Sequence, residues 1–185
     1  MENRNTDHRP ALRKAKEWTL SEFGSLNGGQ LNWKSDPENW SIAQCLEHIV
    51  VVDTLYFPVF EKISEGSYDM SFWEKWSPFS TGFGRMLVNQ MNEKVTRKFR
   101  SPRSFRPDTR PIGPEVITRF SKHQDTLIQF VEKLDTGHAE KIRITSPASR
   151  LVTYSLADAL QMLVQHQYRH LNQALRVKNS NGFPG

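Results

Sequence analysis

Three stretches of this chain repeat one spacing, and that spacing limits what they can fold into. Apolar residues recur at alternating steps of three and four. In residues 41–64 they are Ile42, Cys45, Ile49, Val52, Tyr56, Val59 and Ile63. In residues 113–135 the row is Ile117, Phe120, Gln124, Leu127, Val131 and Leu134. In residues 155–178 it is Leu156, Ala159, Leu163, His166, His170, Gln173 and Val177. Steps of three and four place side chains on one face of an α-helix, and such a face must be covered by another element. Residues 8–24 carry a shorter stripe of Leu12, Ala15, Thr19 and Phe23. Four amphipathic helices predict an all-α, four-helix-bundle fold in one domain spanning residues 1–185.

The boundaries follow from local chemistry. Asp7 and Pro10 suit the start of the first helix, and Asn27-Gly28-Gly29 is expected to end it. Ser41 and Gln44 fit a capping box, with Trp40 just outside as a staple residue. Pro58 must kink or break the second helix near its end. Pro114 opens the third helix, and Gly137 lies past its end. Ser155, with Asp158 three residues on, starts the fourth. Strand signals are weak: Arg143-Ile144-Thr145 and Leu151-Val152-Thr153 are the only short candidates. Residues 65–112 form a long crossover between the second and third helices, which lets those two helices run parallel. A short extra helix is expected inside it, over residues 82–99.

Composition narrows the class. Apolar residues make up 37% of the 185, enough for a core, and 11 Phe and 5 Trp add bulk. The longest aliphatic run is Ile49-Val50-Val51-Val52, too short to span a membrane. The first residues are interrupted by charge, so a secretory signal is not expected and a cytoplasmic protein is. A single cysteine, Cys45, excludes an intrachain disulfide framework and a thiolate-cluster metal site. On its stripe Cys45 reads as a small buried hydrophobe rather than a nucleophile. The net charge of +5 belongs to one stretch. Residues 85–110 hold eight Lys or Arg against two acids, and the remainder sums to −1. Phe99 and Phe105 interleave those charges, yet no DNA- or RNA-binding motif accompanies them, so a solvated connector is favoured over a nucleic-acid arm.

The fourth stripe is unusual because two of its seven positions are histidine. His166 and His170 stand at i and i+4, so both rings leave one helix face. Burying imidazoles unpaired costs roughly 1–3 kcal/mol for each polar atom left unsatisfied. A shared metal ion removes that cost. His48 lies about 10 Å into the second helix at 1.5 Å per residue, and His170 and His166 lie about 10 and 16 Å from the end of the fourth. If these helices are antiparallel, the three side chains come to nearly one level; if parallel, they miss by about 9 Å or more. The alternative is three separate core or surface histidines. Three imidazoles with no compulsory carboxylate would leave coordination positions open and suit Zn, Ni or Fe(II). Gln44 and Gln173, one turn from His48 and His170, are candidates to orient a substrate, although the capping box also accounts for Gln44. Arg169 points about 100° away from His170. His8, His123 and His138 read as solvated. Paired Glu-x-x-His motifs, a Walker A loop, a dinucleotide fingerprint and a G-x-S-x-G elbow are all absent.

At these residues the chain resembles the DinB/YfiT-like superfamily. Asn39-Trp40-Ser41-Ile42-Ala43-Gln44-Cys45-Leu46-Glu47-His48 is similar to the family's second-helix signature. Thr153 through Leu160 and His166 through Gln173 are similar to its last helix, and Lys98–Pro102 with Phe105–Pro107 to members' crossovers. The resemblance implies an up-down-down-up bundle and a metal-binding triad at His48, His166 and His170. It also implies chemistry of the kind assigned to some members: thiol-dependent S-transfer or isomerisation with bacillithiol or mycothiol, or metal-dependent hydrolysis. Three functions therefore compete. The first is an enzyme that uses a divalent metal, and a low-molecular-weight thiol as co-substrate, on a small electrophile. The second is a non-catalytic stress or interaction protein with a structural metal. The third, and weakest, is nucleic-acid binding through residues 85–110. Bundles of this kind also pair through a helix face, so a homodimer is expected.

Overall fold

A computed structural model describes residues 6–77, 107, 110–134 and 136–185. Its helices are α1 (Arg9–Phe23), α2 (Gly28–Asn32), α3 (Ile42–Thr54), α4 (Phe57–Ser64), α5 (Phe72–Trp76), α6 (Val116–Lys133) and α7 (Leu156–Lys178). Two strands, β1 (Arg143–Ser146) and β2 (Ser149–Ser155), lie between α6 and α7.

The helix starts are set by side chains. Ser41 Oγ accepts the Gln44 N–H at 3.2 Å, while Gln44 Oε1 accepts the Ser41 N–H at 3.1 Å. This is the reciprocal cap expected for α3. Ser155 Oγ likewise accepts the Asp158 N–H at 3.0 Å and opens α7. Asp7 stands one residue too early to cap α1: it accepts the Arg9 N–H, while His8 occupies the cap position. The Asn27-Gly28-Gly29 cluster does not end α1, which stops at Gly24; Asn27 instead caps the short α2. The expected 41–64 helix is two helices, bent by 40° where Leu55 and Tyr56 interrupt it and Pro58 sits in the first turn of α4. The bend also shifts the stripe. Tyr56 is buried as the spacing predicts, but Asp53 and Phe60 are buried while Val52, Val59 and Ile63 are only half-buried.

The all-α expectation is corrected by the hairpin. Ile144 pairs with Tyr154 and Thr145 with Thr153, antiparallel, with an irregularity between Thr145 and Ser146. Its β-branched residues lie on both sides of a turn at Pro147, but each run is too short for alternation to reveal it. The hairpin leads straight into α7, whose first amides bond back to the preceding segment: Leu156 N–H to Ile142 O and Ala157 N–H to Ala139 O. Helix α5, inside the crossover, is held to β1 by buried Glu74, which accepts the hydroxyls of Thr145 and Tyr68 at 2.8 Å each. The helix expected over 82–99 lies outside the described residues.

Residue pairs give the directions of the long helices. Between α3 and α7, Trp40 stacks on His170, His48 meets His166, and the Tyr56 hydroxyl meets that of Tyr154 at 2.7 Å, so these two run antiparallel. Arg13–Glu132 and Lys16–Asp125 set α1 antiparallel to α6. Glu47–Arg119 and Asp53–His123 set α3 parallel to α6. Among the described residues no single helix is long and apolar enough to cross a membrane.

Replacing Ser41 with Ala removes the α3 cap. We expect a loss of about 1 kcal/mol in urea unfolding; an unchanged midpoint would contradict the role given to the cap.

Candidate metal centre

Helix α3 brings His48 to its inner face two turns after the Ser41 cap. Helix α7 brings His166 and His170 to the facing side. The three rings form a triangle, with centroids 4.9 Å apart for His48–His166 and 4.6 Å for both His48–His170 and His166–His170. They are 2%, 9% and 9% exposed. His48 Nε2 and His166 Nε2 are 3.1 Å apart. One ligand nitrogen from each ring can be chosen so that all three lie within 4.8 Å of one another.

This donor set suits a transition-metal ion. Two nitrogens at about 2.0–2.1 Å from one ion stand roughly 3.0–3.4 Å apart, which brackets the His48–His166 separation. The rings are also held in the state a metal needs. Burial, and then the neighbouring histidines and Arg169, hold His166 well below the usual imidazole range. Burial, and then His48, push His170 down to about 3. Both are neutral at pH 7 and keep a lone pair. His170 Nδ1 lies 3.0 Å from Gln173 Oε1. That oxygen only accepts, so Nδ1 carries the proton and Nε2 is left as the ligating nitrogen. His166 Nδ1 is buried with no hydrogen-bond partner among the described residues. Among those residues no Cys, Asp or Glu joins the group.

The other candidates fall in definite places. Gln44 Oε1 is used by the α3 cap, and Gln173 braces His170. Cys45 is fully buried and burial pushes its thiol up to about 12, so it is inert as a nucleophile. His138 is exposed, as expected, but His8 and His123 are buried rather than solvated. His123 stacks on Phe57 and lies 3.4 Å from Asp53 Oδ2. Of the basic stretch only Pro107 and Arg110 are described, so its relation to the site lies outside the described residues.

Trp40 was missed as a site residue. It stacks on His170 at 5.4 Å and meets His48 edge-on at 4.8 Å, walling one side of the triangle. Its place just before the Ser41 cap, which fits a staple residue equally well, is the one signal the sequence carries for it. An open groove lined by Lys14, Trp18, Tyr168 and Asn172 lies on α1 and α7. Helical spacing sets Tyr168 and Asn172 on the side of α7 away from His166 and His170.

A family model for the DinB superfamily matches residues 11–174. Comparison with curated proteins and with solved structures finds no match.

The neutral histidines make a pH prediction for chelator-treated protein. The unfolded chain protonates them near pH 6.5, whereas the folded chain resists until far lower. Their contribution is therefore complete above about pH 6.5 and is lost as pH falls toward 3. Each contributes on the order of 1 kcal/mol per pH unit in that window, and buried His8 acts in the same direction. Urea midpoints should fall between pH 7 and pH 5; a flat profile would contradict the neutral state of His166 and His170.

Proposed function

The chain belongs to the DinB superfamily, and on that footing we propose that it is a metal-dependent enzyme acting on a small electrophilic substrate. The observation that carries this reading is the buried triangle of His48, His166 and His170, with no protein carboxylate or thiolate joining it among the described residues. Three imidazole nitrogens, with no fourth His, Cys, Asp or Glu beside them among the described residues, leave positions for exchangeable ligands, as catalytic sites do. The fold that goes with it is an up-down-down-up four-helix bundle of α1, α3 with α4, α6 and α7. The directions of the residue pairs across these helices support that order.

A divalent ion such as Zn, Ni or Fe(II) would supply one thing: it makes a coordinated thiol or water easier to deprotonate near neutral pH. The rest is done by the chain. His48, His166 and His170 hold the ion, and Gln173 fixes the ring of His170. Trp40 covers one side and limits the approach of bulk water. With a low-molecular-weight thiol as nucleophile, a bond from its sulfur to the electrophile would form as the bond to the leaving group breaks; with water, the same displacement would be hydrolysis and release the leaving group protonated. Within this reading the protein works in the cytoplasm, where a lone thiol such as Cys45 stays reduced.

The burial of all three rings favours one competing reading, in which the ion is a structural staple. A fourth protein ligand in the metal-loaded protein would decide for it.

The test has two arms. Metal-loaded protein is incubated with monobromobimane and candidate thiols, and separately with ester and amide substrates. We expect a rate above the metal-free control in one arm, lost in His166→Ala. Rates equal to the control in both arms contradict catalysis.

A further inference from the structure

The triangle works only if α3 and α7 meet in one register, and little of their apolar packing enforces that. Ile49 on α3 and Leu163 and Leu171 on α7 are aliphatic. Aliphatic stripes repeat, so sliding one helix by a turn, 5.4 Å, exchanges one such contact for another. That slide would part His48 from His166.

A polar layer crosses the core beside the triangle. The core divides into two apolar clusters, one containing Tyr56, Leu127 and Leu163, the other Ile49, Phe120 and Leu171. Between them, on three helices, fall Asp53, Gln124 and Gln167, each 0% exposed. Gln167 Nε2 donates to Asp53 Oδ2 at 2.7 Å, and His123 Nε2 lies 3.4 Å from the same oxygen. Asp53 is five residues after His48 on α3, and Gln167 is the residue after His166 on α7. The rung therefore ties the two ligand-bearing helices within about two turns of the ligands. Its remaining atoms are unsatisfied: Asp53 Oδ1, Gln167 Oε1 and both amide atoms of Gln124 have no hydrogen-bond partner among the described residues.

Such a layer is a poor source of stability. Well-packed apolar residues in place of buried polar pairs are often as stable or more so. What a buried polar pair does supply is specificity of register, because a slide leaves both partners unpaired in the core.

We infer that Asp53 and Gln167 are positioning residues of the metal centre: their hydrogen bond sets the register of α3 against α7 that brings His48 to His166 and His170. This rests on the reading that the triad holds a metal. Asp53→Asn keeps an oxygen acceptor for the Gln167 amide. Asp53→Leu with Gln167→Leu removes the rung and leaves an apolar layer.

The test is Co2+ titration of chelator-stripped full-length protein, read by visible absorption, with urea unfolding of each variant. We expect Asp53→Asn to bind within about threefold of the starting protein. The double leucine variant should unfold cooperatively yet bind about tenfold or more weakly, with altered absorption, in the range that the loss of bracing partners costs metal sites. If the double variant does not fold, Gln167→Met, which removes the Gln167 amide and leaves Asp53 in place, is read against the same expectation. Starting-protein affinity and spectrum in a folded variant without the rung overturn the inference, as does Asp53→Asn binding as weakly as the leucine variant. No Co2+ uptake by the unsubstituted protein overturns the metal reading itself, and so is told apart from failure of the register role alone.

Discussion

The antiparallel contact of α3 with α7 is the constraint on which the rest depends. Four pairs lie along it or at its ends: Trp40 on His170, His48 with His166, Asp53 with Gln167, and Tyr56 with Tyr154. Each pairs groups that cannot slide past one another without leaving a polar atom or an aromatic face unmatched. The other elements serve this contact. The Ser41 cap starts α3 at a defined residue, the hairpin carries Tyr154 to the mouth of α7, and α6 presents His123 to Asp53.

The chemistry of the centre follows from that packing. Three imidazoles forced together away from water cannot all be charged. Burial removes hydration, and each ring's charge would repel the others. Burial keeps His166 and His170 neutral, and a neutral imidazole is a metal ligand. A sequence that wanted only a stable bundle would place leucine at these positions. The polar residues here are arranged as donors to a common point, braced by Gln173 and screened by Trp40.

Much of this was legible in the sequence, for physical reasons. A helix with a one-sided stripe has few ways to bury it, so the long helices were readable from period, and the starts of α3 and α7 from their caps. The i, i+4 histidines lay on a predicted core face, and the level of His48 required only the rise per residue and a choice of direction. The misses have physical reasons too. The two strands fall on the only short candidates, but four- and seven-residue runs carry too little alternation to predict that they pair as a hairpin. His123 read as solvated because it lies off the apolar stripe of its helix among polar neighbours, and its burial depends on Phe57 and Asp53 from other helices. Gln167 carried no signal beyond adjacency to His166, since its worth lies in a partner 114 residues away.

One measurement bears most directly on the central claim: the metal content of purified protein, by elemental analysis, beside that of His48→Ala and His166→Ala. The account predicts about one divalent transition-metal ion per chain in the unsubstituted protein and a clear loss in both variants, with each variant still folded. Equal metal content in all three, or none in the unsubstituted protein after incubation with Zn, Ni and Fe(II), would contradict it.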